Sequence, residues 1–149
     1  MLRLSLAWLH LIALGIGLGA VVVRGAALRM PLSKETLRRA FQSDALWGVA
    51  AALWVITGLW RVFGSTEKAT AYYWSNHIFL AKMGLFVLIV ILELRSAITL
   101  AKWRKQAPSG PEAQRTAGMI AMVSHLQAAL VVGVVLAAVA MARGYGAGN

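Results

Sequence analysis

Apolar residues fall in four long stretches, separated by short polar, basic or Pro/Gly-containing segments. The first covers about 4–23 and stops at Arg24, the second about 45–63, the third from near Ser75 to Leu92, and the fourth about 119–141. Each matches the ~20 residues a helix needs to cross a hydrocarbon core of about 30 Å. Backbone inside lipid must satisfy its hydrogen bonds within its own segment or in a closed barrel, so uninterrupted runs of this length predict helices. With the flanking start and stop signals, the helices are expected over about 4–24, 33–63, 75–105 and 117–142, in a single transmembrane domain covering 1–149. The fold class is all-α, an integral membrane four-helix bundle.

The connectors carry their own signals. Ser33 is placed to cap the second helix, with Glu35 in its first turn and Leu32 able to staple against Leu37. Pro108, Ser109, Gly110 and Pro111 form the turn into the fourth helix. The last six residues, from Gly144 to Asn149, are expected to be flexible unless something docks them. The first apolar run is long for a signal-peptide core, His10 interrupts it, and no clear small-residue cleavage site follows, so it is expected to be a retained helix.

Composition agrees with the pattern: 60% of the 149 residues are apolar, above the ~45–50% usual in soluble domains. There is no cysteine, hence no disulfide or thiolate metal site. The net charge of +10 would suit nucleic acid, but its placement argues against that partner. Arg24, Arg29, Lys34, Arg38 and Arg39 lie between the first two spans, and Arg95, Lys102, Arg104, Lys105 and Arg115 between the last two. Ten of the 15 basic residues thus gather in alternate connectors, the mark of cytoplasmic loops, while Arg3, Arg61, Lys68, Lys82 and Arg143 are scattered. The expected topology therefore puts both connectors in the cytoplasm against anionic headgroups. Both termini and the 64–74 loop then face the outer, periplasmic side. Tyr72, Tyr73 and Trp74 would anchor that loop at the interface, with Trp8 and Trp60 in the same belt.

Polar residues inside the spans carry the candidate chemistry, because a charge at mid-helix costs at least about 2.5–3.5 kcal/mol. Lys82 lies roughly 10 Å below the outer end of the third helix at about 1.5 Å per residue. It either snorkels to the headgroups or serves a function. Glu93 follows eleven residues later on the same face. His10, Gly17 and Arg24 share a face of the first helix, and Gly15 and Gly19 have the small-xxx-small spacing of close helix packing. A thin wall of this kind would also suit a flat cofactor such as a haem. On the second helix Asp44, Trp47, Ala51, Trp54, Gly58 and Arg61 follow three-four spacing. Ser124, His125 and Gln127 mark the inner third of the fourth.

These residues divide into two groups. An outer set of His10, His77 and Lys82, with Arg24, is the candidate cofactor site: the histidines as axial ligands of a haem b iron, Lys82 or Arg24 holding propionates or a quinone headgroup. An inner polar cluster is expected from Asp44, Glu93 and His125, with Arg24 as the cation for the carboxylates. No separate metal site is expected. Phosphate-binding glycine loops, zincin spacings and serine nucleophile elbows are absent, and whether the chain is an enzyme stays open.

Several positions together resemble a bacterial family of four-helix membrane proteins known only as a domain of unknown function. They are Trp8-Leu9-His10-Leu11 with the following glycines, Asp44 to Trp47-Gly48, Gly58-x-Trp60, and His77-x-Phe79-x-x-Lys82-x-Gly84-x-Phe86. The resemblance covers nearly the whole chain and implies the bacterial cytoplasmic (inner) membrane. More remotely, the layout is similar to the copper-resistance D membrane proteins and the HemJ-type protoporphyrinogen oxidases, where an early histidine and an early lysine go with haem or porphyrin chemistry. The chain departs from the HemJ type in having Glu93 where a histidine is expected, and in lacking its basic-aromatic signatures. Three roles follow as expectations: a haem-binding or redox-linked membrane protein; a non-catalytic accessory subunit of a larger complex or homo-oligomer; or a small-ion or metal transporter using Lys82 and Glu93.

Overall fold

The computed structural model describes residues 1–64 and 76–145. The aromatic anchor of Tyr72, Tyr73 and Trp74, Ser75 and the tail residues 146–149 lie outside the described residues. Among those described there are four helices: α1 (Leu2–Arg29), α2 (Lys34–Phe63), α3 (His77–Lys105) and α4 (Gly110–Ala142). All four are long and apolar enough to cross a membrane. Large apolar side chains such as Leu11, Leu53, Ile56, Val87, Ile91, Met122 and Leu136 face outward, as a surface solvated by lipid requires. At 28 to 33 residues, the helices reach about 42–50 Å at 1.5 Å per residue, more than the hydrocarbon thickness.

Two helices are longer than the sequence pattern implied. The first does not stop at Arg24 but continues to Arg29, because Arg24 is completely buried and is not a boundary residue. The fourth begins at Gly110 rather than near residue 117. Gly110 turns the chain at φ +84°, and Pro111 in the first turn has no N–H for the helix to leave unsatisfied. The expected Ser33 cap forms, in a reciprocal pair with Thr36. Asn76 caps α3 by accepting from Ile78 and Phe79 N–H groups, and its amide donates to the Tyr145 carbonyl at 3.3 Å. Gln114 of α4 clasps the α1–α2 connector, accepting from Leu32 N–H at 2.8 Å and donating to the Met30 carbonyl at 3.3 Å.

Glu35, exposed in the first turn of α2, accepts from Arg38 and Arg39 at 2.9–3.1 Å. Those bonds lower its carboxyl from 4.5 to about 2. The folded carboxyl is the stronger acid, so its contribution to the helix start is present above the ordinary glutamate range and lost as pH falls toward 2. An NMR titration is expected to place the midpoint near 2; a midpoint at 4.5 would show that the pairs do not persist in water.

Around the bundle the order is α2, α1, α4, α3. α1 packs extensively on α2, α4 joins α1 to α3, and α2 and α3 barely touch. The seam between α2 and α3 is the open side. Antiparallel α1 and α2 meet in a consistent register: His10 opposite Thr57 and Gly58, Gly17 opposite Trp47 and Ala50, Arg24 opposite Asp44. On α1 the glycines at close approaches are Gly17 and Gly25, not Gly15 and Gly19, which have no neighbour within 4 Å of an added Cβ. The small-xxx-small pair therefore faces away from the helix contacts. Two apolar clusters fill the interior. One contains Ala13, Val21, Trp47, Trp54, Ile89 and Val131; the other contains Leu28, Ala40, Leu100, Ala117 and Ala121. Between them fall Arg24 on α1, Asp44 on α2, Glu93 on α3, and Ser124 and Gln127 on α4.

Candidate functional site

Arg24 is the largest fully buried side chain, and its guanidinium ties the bundle together. A guanidinium has five N–H donors and no acceptor. Nε donates to Ser124 Oγ at 3.1 Å. Nη1 donates to Asp44 Oδ1 at 2.9 Å and to Glu93 Oε1 at 2.8 Å. Nη2 donates to Glu93 Oε2 at 2.9 Å and to Gln127 Oε1 at 2.8 Å. Five bonds for five donors leave none for a ligand. The pairing with Glu93 is bidentate, the geometry in which arginine binds carboxylate best. The acceptors are themselves held. Gln127 donates to Glu93 Oε2 at 2.9 Å and to the Ile89 carbonyl at 3.2 Å. Arg104 donates to Asp44 Oδ2 at 2.9 Å and to the Phe41 carbonyl at 3.0 Å. Ser124 donates on to the Ile120 carbonyl. Two arginines and two carboxylates leave the cluster with no net charge, spread over all four helices.

The expected inner cluster of Asp44 and Glu93 thus forms, around Arg24. His125 stands beside it but bonds within its own helix, Nδ1 to the Ala121 carbonyl at 2.6 Å, with its ring against Gly25. Arg24 groups with these residues and not with the outer set. Nor does the outer set assemble. His10 of α1 bonds Thr57 of α2 at 2.8 Å. The Thr57 hydroxyl also lies 2.7 Å from the Leu53 carbonyl and 3.1 Å from the Trp54 carbonyl of its own helix. His77 is exposed on α3, which stands diagonally across from α1. Lys82 is half-buried with Nζ over the Phe79 ring at 5.3 Å, one turn back toward the end of the bundle that carries the termini. Among the described residues no three His, Asp or Glu side chains gather as a metal-holding group.

The family model for predicted membrane proteins designated DUF2214 matches residues 2–146. The chain belongs to this family. It is an integral membrane protein, as the rest of the family is described. No curated protein and no solved structure matches the chain. The more distant likeness to copper-resistance D and HemJ-type proteins, drawn from the helical layout with His10 and Lys82, is not shown by these comparisons.

The open α2–α3 seam of this family member forms a groove of about 150 Å³, lined on α2 by Trp47, Ala51, Trp54 and Val55 and on α3 chiefly by Phe86, Ile89, Val90 and Glu93. Trp54 meets Phe86 edge-on with centroids 5.6 Å apart, and His10 lies against its other neighbourhood at 5.8 Å. Glu93 of the buried ionic cluster lies in the groove wall, which continues along α3 to Leu94 and Ala97. Sequence reasoning placed Trp47, Ala51 and Trp54 on one helix face but missed Thr57 and the groove. The α2 pattern of small and aromatic residues was the available signal; which helix stays unpaired with α2 was not.

Proposed function

We propose that this protein is a redox-linked component of a bacterial cytoplasmic membrane that binds a flat, lipid-soluble molecule in the α2–α3 groove. In this reading both termini face outward and the basic connectors face the cytoplasm, as the positive-inside distribution favours. The observation that carries it is the seam itself. Three sides of the bundle are closed by helix packing; the fourth opens laterally to lipid at an aromatic-lined groove. A lipid-soluble molecule would enter there without crossing a polar surface. Concave, mostly apolar sites between helices are a usual form of ligand pocket. The Arg24 cluster holds α2 and α3 apart at a set distance through Asp44, Arg104 and Glu93.

A haem held by two histidines is not supported, because His10 and His77 lie on diagonal helices with His77 outward. The transport reading draws no support from Glu93, whose oxygens are bonded to Arg24 and Gln127. A second reading, an accessory subunit, rests on the same seam, which a helix of a larger complex or of a second copy would also close.

The test is to purify the protein in mild detergent and examine its absorbance and solvent extract beside Ala51→Phe, which fills the groove. We expect a near-stoichiometric small molecule in the wild-type extract and at least a tenfold reduction in the variant. A wild-type protein that carries none, even after incubation with membrane lipid extract, would sink the reading.

A further inference from the structure

Arg104 stands at the inner end of the α2–α3 seam and is used differently from Arg24. Arg24 turns all five N–H groups inside the bundle. Arg104, with 43% of its side chain exposed, uses only Nη2, which donates to the Phe41 carbonyl and to Asp44 Oδ2. A guanidinium has five N–H donors, so three, on Nε and Nη1, have no partner among the described residues. The group is held all the same. Both bonds cross to α2, and the guanidinium carbon stands 5.5 Å from the centroid of the Phe41 ring. A half-exposed guanidinium fixed through one nitrogen, with its other donors unused, is a preorganised receptor for an oxyanion.

Depth says where that oxyanion comes from. The apolar stretch of α2 begins at about residue 45, so a guanidinium bonded to Asp44 lies at the edge of the hydrocarbon, next to the phosphate layer of the adjoining leaflet. Beside it runs a bare apolar flank. Val87, Ile91, Leu94 and Ile98 follow three-four spacing along α3, and each is more than half exposed. Lys105, seven residues past Ile98, falls on the same face. Charge favours an anion at this end. Arg24, Arg104, Asp44 and Glu93 sum to zero, but Lys102 and Lys105 in the same last turn have no acidic partner among the described residues. The α3 C-terminus contributes only about half a negative charge, which the two lysines outweigh about fourfold. A soluble anion would use the guanidinium alone, whereas a phospholipid uses the guanidinium and the flank together. Basic pockets between spans on the cytoplasmic side are a recurring type of headgroup site.

We infer that the inner mouth of the α2–α3 seam holds one anionic phospholipid, its phosphate accepting from the unused N–H groups of Arg104 beside Lys105 and one chain lying on the apolar flank of α3. Its headgroup sits inward of the groove lining, so the site does not depend on what fills the groove.

The experiment titrates the full chain, in neutral detergent, with phosphatidylglycerol and with phosphatidylcholine of the same chains, and counts bound lipids by native mass spectrometry. We expect one phosphatidylglycerol to bind about fivefold or more tighter than the choline lipid, and Arg104→Gln to weaken it about fivefold, the effect of one cation at an anionic headgroup. Arg29→Gln, the same charge change at the inner end of the diagonal helix α1, should leave it unchanged. So should Ala51→Phe, which fills the groove. Equal binding of the two lipids by the wild type, or equal weakening in Arg29→Gln and Arg104→Gln, overturns the site. Displacement of the lipid by soluble glycerol phosphate at matching concentration does so as well, because the flank would then take no part. Loss of binding in Ala51→Phe overturns it by moving the lipid into the groove. Should Arg104→Gln unfold before it can be titrated, benzoylphenylalanine at Ile98 reads the position instead. In an equal mixture of the two lipids its photo-adduct should be chiefly phosphatidylglycerol, and equal adducts contradict the site.

Discussion

Arg24→Ala is expected to lower stability by about 3–5 kcal/mol, the cost of breaking a buried ion pair and leaving its partners uncompensated. With total stabilities of about 5–15 kcal/mol usual for a domain, such a loss should leave little folded bundle in detergent at ambient temperature. The reason lies in the count of bonds. Removing the guanidinium strands Glu93 and Gln127, frees Ser124 and leaves Asp44 to Arg104 alone. Arg24→Lys offers three donors where five are used and cannot chelate Glu93 bidentately, so it should recover only part of the loss. A triple variant, Arg24→Met with Glu93→Gln and Asp44→Asn, removes the charges together and should be more stable than Arg24→Ala. Thermal melts followed by size-exclusion chromatography read all three. An Arg24→Ala protein with an unchanged melting temperature would mean that the cluster is not what holds the helices in register.

The second large effect is expected at Gly25, one residue along. An alanine Cβ there would lie 2.6 Å from His125 Cε1, 2.8 Å from Nδ1 and 3.2 Å from Ser124 Cβ. The ring cannot simply swing aside, because Nδ1 is bonded to the Ala121 carbonyl. Separating α1 from α4 would stretch the Arg24–Ser124 bond. Overpacking of this kind typically costs about 1–3 kcal/mol. Gly25→Ala should therefore melt well below wild type, and adding His125→Ala should recover most of the difference by removing the ring. If the double variant melts no higher than Gly25→Ala, the close approach is not the cause. Gly15→Ala, with open space around it, serves as the control and should melt at or above wild type.

How far the sequence carried the account is clearest from these residues. Four spans, their boundaries at Ser33 and Lys105 and the meeting of Arg24 with Asp44 and Glu93 were all legible, because hydrophobic length and helical periodicity are local properties. The thin face of α1 was only half legible. Glycines at 15, 17, 19 and 25 mark the same helix, but which of them meets a neighbour depends on rotation about the axis, and the structure selects 17 and 25. Arg24 looked like the end of a span because an arginine usually is; five hydrogen bonds to four residues on three other helices let the helix run through it. Arg104 reads as one more basic residue of a connector, yet it reaches Asp44. The pairing of His10 and His77 failed for a topological reason, since the order α2, α1, α4, α3 puts α1 and α3 on a diagonal. The groove could not be read at all, because it is defined by two helices that do not pack.

The central claim is that a small lipid-soluble molecule, and not another protein, occupies the α2–α3 seam in the membrane. Placing a photo-reactive benzoylphenylalanine at Val55, which lines the groove, and irradiating intact cells tests it directly. The account predicts that mass spectrometry of the purified chain finds an adduct of a few hundred daltons, lost when Ala51→Phe fills the groove. A cross-link to a second polypeptide, whether another protein or a copy of this chain, would contradict it.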